Sequence, residues 1–281
     1  MFNRITILGV GLLGASFALS LKKNRLCGTI TGCGRNRENL RQAKDRSIID
    51  SFETDPAAAC RDSDLVVLST PVGSFLELTK AIGPALKRGA ILTDVGSVKG
   101  ALVRDIEKIM PKDVYYIGGH PIAGSDRSGI DTADAGLFRD AKCIITPTES
   151  SSPSALDKIR DLWKAIGSEI IMLSPEEHDR IYAAVSHLPH LLAYALVNTV
   201  AEMDGSYLAF SGKGFMDATR IASSSEELWN DICLLNRDNL VEVIAVFQKN
   251  LDMLTRYLKD GDADSLKHAF RKARTLRETL G

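Results

Sequence analysis

Cysteine is scarce in this chain and shows no pairing pattern. The five residues Cys27, Cys33, Cys60, Cys143 and Cys233 are odd in number, irregular in spacing and nowhere arranged as C-x-x-C. That argues against a disulfide framework and predicts reduced thiols in a cytoplasmic protein. An excess of charge is lacking too. Lys and Arg number 35 against 36 Asp and Glu, a net charge of −1, so no broad field draws in nucleic acid or an anionic membrane. Long apolar runs are absent. The most apolar stretch, LLAYALVNTVA from Leu191 to Ala201, is broken by Asn198 and Thr199. It falls short of the ~20 residues that span a bilayer and predicts a buried helix. The N-terminus enters the run RITILG with no basic segment ahead of a long apolar one, so no signal peptide is expected.

What is present fits an ordinary globular protein. Apolar residues make up 44% and charged residues 25% of 281, enough chain for two domains. Through the first 173 residues, RITILG, TITGC, DLVVLST, AILTDV, VYYIGG, CIITPT and EIIML predict strands. Helices are expected over Leu12 to Lys23, Asn36 to Asp45, Ser74 to Leu86, Val98 to Ile109 and Ser154 to Ile166. Apolar strands separated by helices predict an α/β, mostly parallel, doubly wound sheet, with ligands beyond the carboxyl ends of the strands. After Ser174-Pro175 only helical periodicity continues. The expected division is a dinucleotide-binding domain over 1–174 and an all-helical domain over 175–281. Lys267, Arg271, Lys272, Arg274 and Arg277 in the last helix are flanked by Asp262, Asp264 and Glu278, which reads as a solvated face.

The segment ILGVGLLGAS places Gly9-x-Gly11-x-x-Gly14 between the first strand and the first helix. Gly9 permits a tight turn, Gly11 lets the backbone approach a pyrophosphate and Gly14 lets helix and sheet pack closely. The helix N-terminus, opened by Leu12 and Leu13, offers free N–H groups to phosphates. Ser69, Thr70 and Pro71, at the end of DLVVLST, are assigned to the same cofactor site. A carboxylate that holds a ribose 2′-hydroxyl belongs at the end of the second strand. The sequence there, TGCGRNRE, offers Gly34, Arg35, Asn36 and Arg37 instead. An acid would repel the 2′-phosphate of NADP, whereas a guanidinium binds it in a fork. The expected cofactor is NADP in preference to NAD, and Arg35 and Arg37 as plain solvated residues are the alternative.

Two further segments end strands. LTDVGSVKG places Ser97 just ahead of a helix, as an N-cap or a hydrogen-bond donor, and IGGHPIAG fixes His120 between a glycine pair and a proline. His187 and His190 stand as H-L-P-H, but Pro189 disturbs helix geometry and no carboxylate motif accompanies them, so no metal is expected. Arg220, in DATRIA, needs an anionic partner: a substrate carboxylate, or Asp217 or Glu226 in a buried pair.

Taken in order, GVGLLGAS, TDVGSVKG, GGHPIAGSDRSG, AAVSHLPH and FMDATRIASSSEELWNDI resemble the prephenate/arogenate dehydrogenase family over nearly the whole chain. The resemblance implies a Rossmann domain followed by an all-helical dimerisation domain, a homodimer, and oxidative decarboxylation of a cyclohexadienol. It assigns the base on the ring hydroxyl to His120, with Ser97 hydrogen-bonded to it. It also places Ser125, Asp126, His187, His190 and Arg220 at the substrate, and lets Asp217 and Trp229 reach a neighbouring subunit's site. A carboxylate at Asp126 would favour the ammonium-bearing arogenate over the keto acid prephenate. Two other readings are weighed against this. A β-hydroxyacid dehydrogenase or imine reductase is one, and the first of these expects a lysine early in the second domain, where Glu176 to Ala209 has none. A non-catalytic nucleotide sensor is the other, and it needs no convergent Ser97, His120 and Arg220.

Overall fold

The structure, a computed structural model, describes residues 2–124 and 129–280. Strands and helices alternate: β1 (Phe2–Leu8), α1 (Leu12–Lys23), β2 (Cys27–Cys33), α2 (Arg37–Asp45), β3 (Ser51–Glu53), α3 (Pro56–Cys60), β4 (Leu65–Leu68), α4 (Phe75–Ile82), β5 (Ile91–Asp94), α5 (Gly100–Ile109), β6 (Tyr115–Pro121), β7 (Lys142–Thr146), α6 (Pro153–Ile166) and β8 (Glu169–Met172). The eight strands form one sheet in the order β3-β2-β1-β4-β5-β6-β7-β8, parallel throughout except for the β6–β7 pair. Successive β4 residues point to opposite faces. Leu65 and Val67 join the apolar cluster containing Phe17, Phe138 and Trp163, and Val66 and Leu68 join the one containing Phe75, Leu102 and Ile106. Burying each large apolar side chain contributes roughly 1.5–3 kcal/mol, so the sheet is held from both sides.

Local chemistry sets the boundaries. Asn36 caps α2 by accepting from the Asn39 amide, Ser152 caps α6, and α6 ends at Gly167 with φ +103. Two short elements carry no sequence signal. β3 is three residues (SFE) at the sheet edge, and α3 is a five-residue helix started by the Asp55 cap and Pro56. The helix expected from Val98 begins instead at Gly100, so Ser97 is not its cap. The Lys99 side chain turns back to bond Asp94 Oδ1 and the carbonyls of Gly96 and Val98, which holds these residues in a tight loop.

Beyond Leu173 the described residues are helical: α7 (Pro175–Tyr182), a π-helical turn (Ala183–His187), α8 (Leu188–Asp204), α9 (Lys213–Thr219), α10 (Glu226–Leu235), α11 (Arg237–Asp260) and α12 (Ala263–Glu278). Ser174 and Glu177 form a reciprocal capping box at the start of α7. The chain divides into two compact units, 1–236 and 237–281. In the second, α11 and α12 form a hairpin with a groove of about 620 Å³ lined by Met253, Leu254, Tyr257, Ala269 and Leu276. No described helix is long and apolar enough to cross a membrane, and all five cysteines are free.

Candidate active site

The sheet order reverses at β1 and β4, which opens a crevice at their carboxyl ends. Gly9 has φ +98, and a Cβ on it would meet the Ser69 carbonyl oxygen at 2.5 Å, so the turn after β1 lies against the end of β4. A Cβ on Gly14 would strike the Gly9 carbonyl, whereas one on Gly11 would meet nothing within 4 Å. Gly11 is the N-cap of α1 without a side-chain cap, and Leu12 and Leu13 open the helix. An open, uncapped N-terminus with a bare backbone fits a dinucleotide pyrophosphate. Among the described residues Ser69 Oγ is buried without a hydrogen-bond partner, while the Thr70 hydroxyl pairs with Ser74 and Pro71 starts the next turn. At the end of β2, Gly34 leaves the edge without an acid of its own. Among the described residues neither Arg35 nor Arg37 closes an ion pair, and the Arg37 guanidinium lies 5.9 Å from the centroid of the Phe52 ring.

A polar network is buried beside this crevice, at the ends of β5 and β6. Asp94 Oδ1 accepts from Lys99 Nζ at 2.6 Å and from the Gly96 amide at 2.7 Å. Its Oδ2 accepts from the Tyr116 hydroxyl at 2.6 Å. Burial, followed by the Asp94 carboxylate, pushes the Tyr116 phenol well above its ordinary range. The network ties the loop carrying Ser97 to the strand carrying His120.

His120 lies in register with Ile144 near the end of β6 and is 9% exposed. Its Nδ1 stands 2.8 Å from His178 Nε2, and His178 Nδ1 stands 2.8 Å from Asp179 Oδ1. Tyr182 stacks on His178, with ring centroids 4.6 Å apart. Burial first, then the neighbouring His178 and Lys99, holds the His120 imidazole neutral, well below its usual pKa. Burial and Lys99 take His178 down to about 2, and burial lifts Asp179 to about 6. The partner expected on the His120 ring was Ser97. The structure corrects this on the Nδ1 side, since His178 occupies that nitrogen and no described hydrogen bond involves the Ser97 hydroxyl. Both His178 and Asp179 escaped the sequence reading because PEEHD reads as a solvated helix start. The signal available was a His-Asp pair three and four residues after the Pro175 start, on the side of α7 that is buried.

His187 is fully buried in the π-helical turn, and its Nδ1 is bonded to the Asn236 side chain at 3.0 Å. Burial takes its pKa down to about 4. It is thus enclosed within the protein and does not stand on an open wall. His190 is half-buried. Its Nδ1 donates to the Ser186 carbonyl, and its ring stacks on Trp229 of the same chain with centroids 3.5 Å apart. Trp229, expected at a neighbouring subunit's site, is engaged here within its own chain. Arg220 is exposed, and its charge helps lower the His190 pKa, so the two stand near each other. Ser125 and Asp126 lie outside the described residues. Among the described residues no three metal-ligating side chains cluster.

A glycine-lined crevice at the switch point of a parallel sheet, with a neutral imidazole beside it, defines a dinucleotide-dependent dehydrogenase. Residues 17–172 match the family model for the nucleotide-binding domain of prephenate dehydrogenase, and residues 174–272 match that for its dimerization domain. The chain belongs to the prephenate/arogenate dehydrogenase family. It is 32% identical to the prephenate dehydrogenase of Bacillus subtilis, over 100% of this chain and 76% of that one, and 33% identical to the cyclohexadienyl dehydrogenase of Zymomonas mobilis, over 100% and 97%. Among solved structures, the Aquifex aeolicus prephenate dehydrogenase in complex with hydroxyphenyl propionate and NAD+ superposes with a TM-score of 0.95 at 36% identity, covering 100% of this chain and 99% of that one. The Synechocystis arogenate dehydrogenase superposes at 0.83 with 28% identity, covering 99% and 100%. Family membership sets aside the hydroxyacid dehydrogenase, imine reductase and nucleotide-sensor readings.

Proposed function

We propose that this dehydrogenase oxidatively decarboxylates arogenate or prephenate with His120 as the base, and that it prefers NADP to NAD. The observation that carries the reading is the state of His120. Its ring is neutral, its Nδ1 is committed to His178, and Nε2 makes no hydrogen bond among the described residues. When bound, the nicotinamide accepts the hydride that leaves ring carbon C4 while CO2 leaves C1. The part of the chain is to take the C4 hydroxyl proton at Nε2 as carbonyl character develops, and such a base contributes ~10²–10⁴-fold. Arg220 is the group assigned to a substrate carboxylate, Ser97 is assigned beside the base, and Ser125 is assigned to the substrate. In this reading His187 serves the site from behind, by fixing the turn that presents His190.

The NADP preference is supported by Gly34 where an acid would stand and by the exposed Arg35 and Arg37, which have no carboxylate partner among the described residues. Asp126, six residues after His120, would favour the ammonium of arogenate. The match to a dimerization domain supports a homodimer formed through residues 175–281.

One kinetic grid tests all of this: arogenate and prephenate, each with NAD and NADP, followed at roughly 340 nm. His120→Asn should lower kcat by at least about 10²-fold with cofactor affinity unchanged, and near-normal turnover would move the base elsewhere. Arg35→Asp with Arg37→Ala should weaken NADP far more than NAD, and equal losses would remove the cofactor preference.

A further inference from the structure

We propose that His178 and Asp179 form a positioning dyad behind His120, which orders both imidazole tautomers and opposes the charge His120 gains when it takes the proton. The proposal rests on His120 being the base, as argued above.

The chain of donors has only one consistent direction. An ionised Asp179 carboxylate can only accept, so the proton between it and His178 sits on His178 Nδ1. His178 Nε2 is then a lone pair, and it can only accept from His120 Nδ1–H. With Nδ1 protonated, His120 presents its lone pair at Nε2, the nitrogen that makes no hydrogen bond among the described residues. One carboxylate therefore fixes two tautomers across two 2.8 Å contacts.

Geometry built around the dyad keeps that carboxylate available. Asp179 Oδ1 also accepts the Lys99 amide at 2.8 Å, which pins it without neutralising it. The Lys99 ammonium is spent elsewhere, since its three protons face Asp94 Oδ1 and the carbonyls of Gly96 and Val98. A Cβ on Gly100 would collide with the Asp179 carboxylate, so glycine there lets the acid close on the helix start. Asn236 donates to the Asp179 carbonyl at 2.8 Å and holds α7 from the other side. Buried polar groups are costly unless each is paired. Here the pairing converges on the one nitrogen that must be poised.

The groups facing the dyad from the packed elements are Lys99 and Arg104 beside α5, Asp94 at the end of β5, Cys143 on β7, Tyr182 on α7 and His187 in the π turn. Lys99 and His187 disfavour positive charge on the imidazoles, and Arg104 favours the Asp179 carboxylate. Asp179 is the only carboxylate among the described residues bonded to the pair, so removing its charge makes His120 harder to protonate.

The test is Asp179→Asn, His178→Phe and the double variant, assayed as full-length enzyme in a kcat pH profile beside wild type and His120→Asn. Asparagine keeps an oxygen for the Lys99 amide and His178, and phenylalanine keeps the stack on Tyr182. Each single variant should lose about 10–100-fold in kcat, less than His120→Asn, with KM and cofactor binding little changed. The acid limb of the Asp179→Asn profile should move to lower pH, and the double variant should lose no more than the worse single one. A stationary acid limb, losses that multiply in the double variant, or a KM that rises as kcat falls would overturn the dyad. Should His120→Asn itself turn over normally, the base assignment fails instead, and that result is read separately.

Discussion

The strand-bearing first half and the helices that follow it bury their side chains very differently. In the sheet, β4 and β5 are buried at every position, and Phe138 packs edge to face on both Phe17 and Trp163 within one cluster. In α8, a longer and equally apolar element, only Ala193 is buried, and α12 buries nothing. Phe210 is 86% exposed, with Met203, Val246 and Leu258 also open. The first region completes its own core, while the second displays large apolar side chains at its surface. Charge is buried in both regions where its partners are fixed: Lys99 with Asp94 in the first, and Asp179 with His178 and the Lys99 amide at the start of the second.

The strongest challenge to this contrast is Lys99→Met. It removes the cation from a pair whose side chains are 0% exposed. An unpaired buried carboxylate costs about 3–5 kcal/mol, so the urea midpoint should fall sharply. An unchanged midpoint would mean that Asp94 is satisfied without its lysine. Acid supplies the next largest effect. His187 is held neutral with a pKa of about 4, against ~6.5 in an unfolded chain. The stability from that depressed value is whole above pH 6.5 and is lost as pH falls toward 4, on the order of 3 kcal/mol. His178 adds loss in the same direction. Asp179 runs the other way, since its raised value of about 6 favours folding below the usual carboxylate range and loses that benefit by pH 6. Two histidines outweigh one acid, so thermal melts should drop between pH 6.5 and 4, and a flat profile would contradict the buried neutral rings. The smallest effect belongs to the exposed surface. Phe210→Ser should change unfolding of the single chain by less than about 0.5 kcal/mol, yet lower the sedimenting mass at micromolar protein. If Phe210→Ser instead destabilises the chain itself, that face is core.

The sequence revealed the sheet well because apolar runs such as DLVVLST and AILTDV leave strands no other home. It missed β3 and α3, where Ser51-Phe52-Glu53 and a five-residue turn owe their shape to neighbours. The site was legible where backbone chemistry decides it, as in the turn of Gly9, Gly11 and Gly14. It was not legible where a contact spans 58 residues, as between His120 and His178. Ser97 reads as a helix cap because it stands just ahead of a helical stretch, and nothing in the sequence marks Lys99. Only the fold shows that ammonium folded inward.

The widened turn at Ala183–His187 has a consequence for how this chain can vary. A π-helical turn holds one residue more than the α-helix it interrupts. The turn absorbs that residue locally, whereas one inserted into the regular winding just after it would swing everything downstream by about 100° around the axis. The imidazole at position 190 would then leave its indole neighbour. Insertions and deletions just after this turn are thus coupled to the stack of His190 on Trp229 more tightly than those in a surface loop, and a library of length variants should find few that keep it.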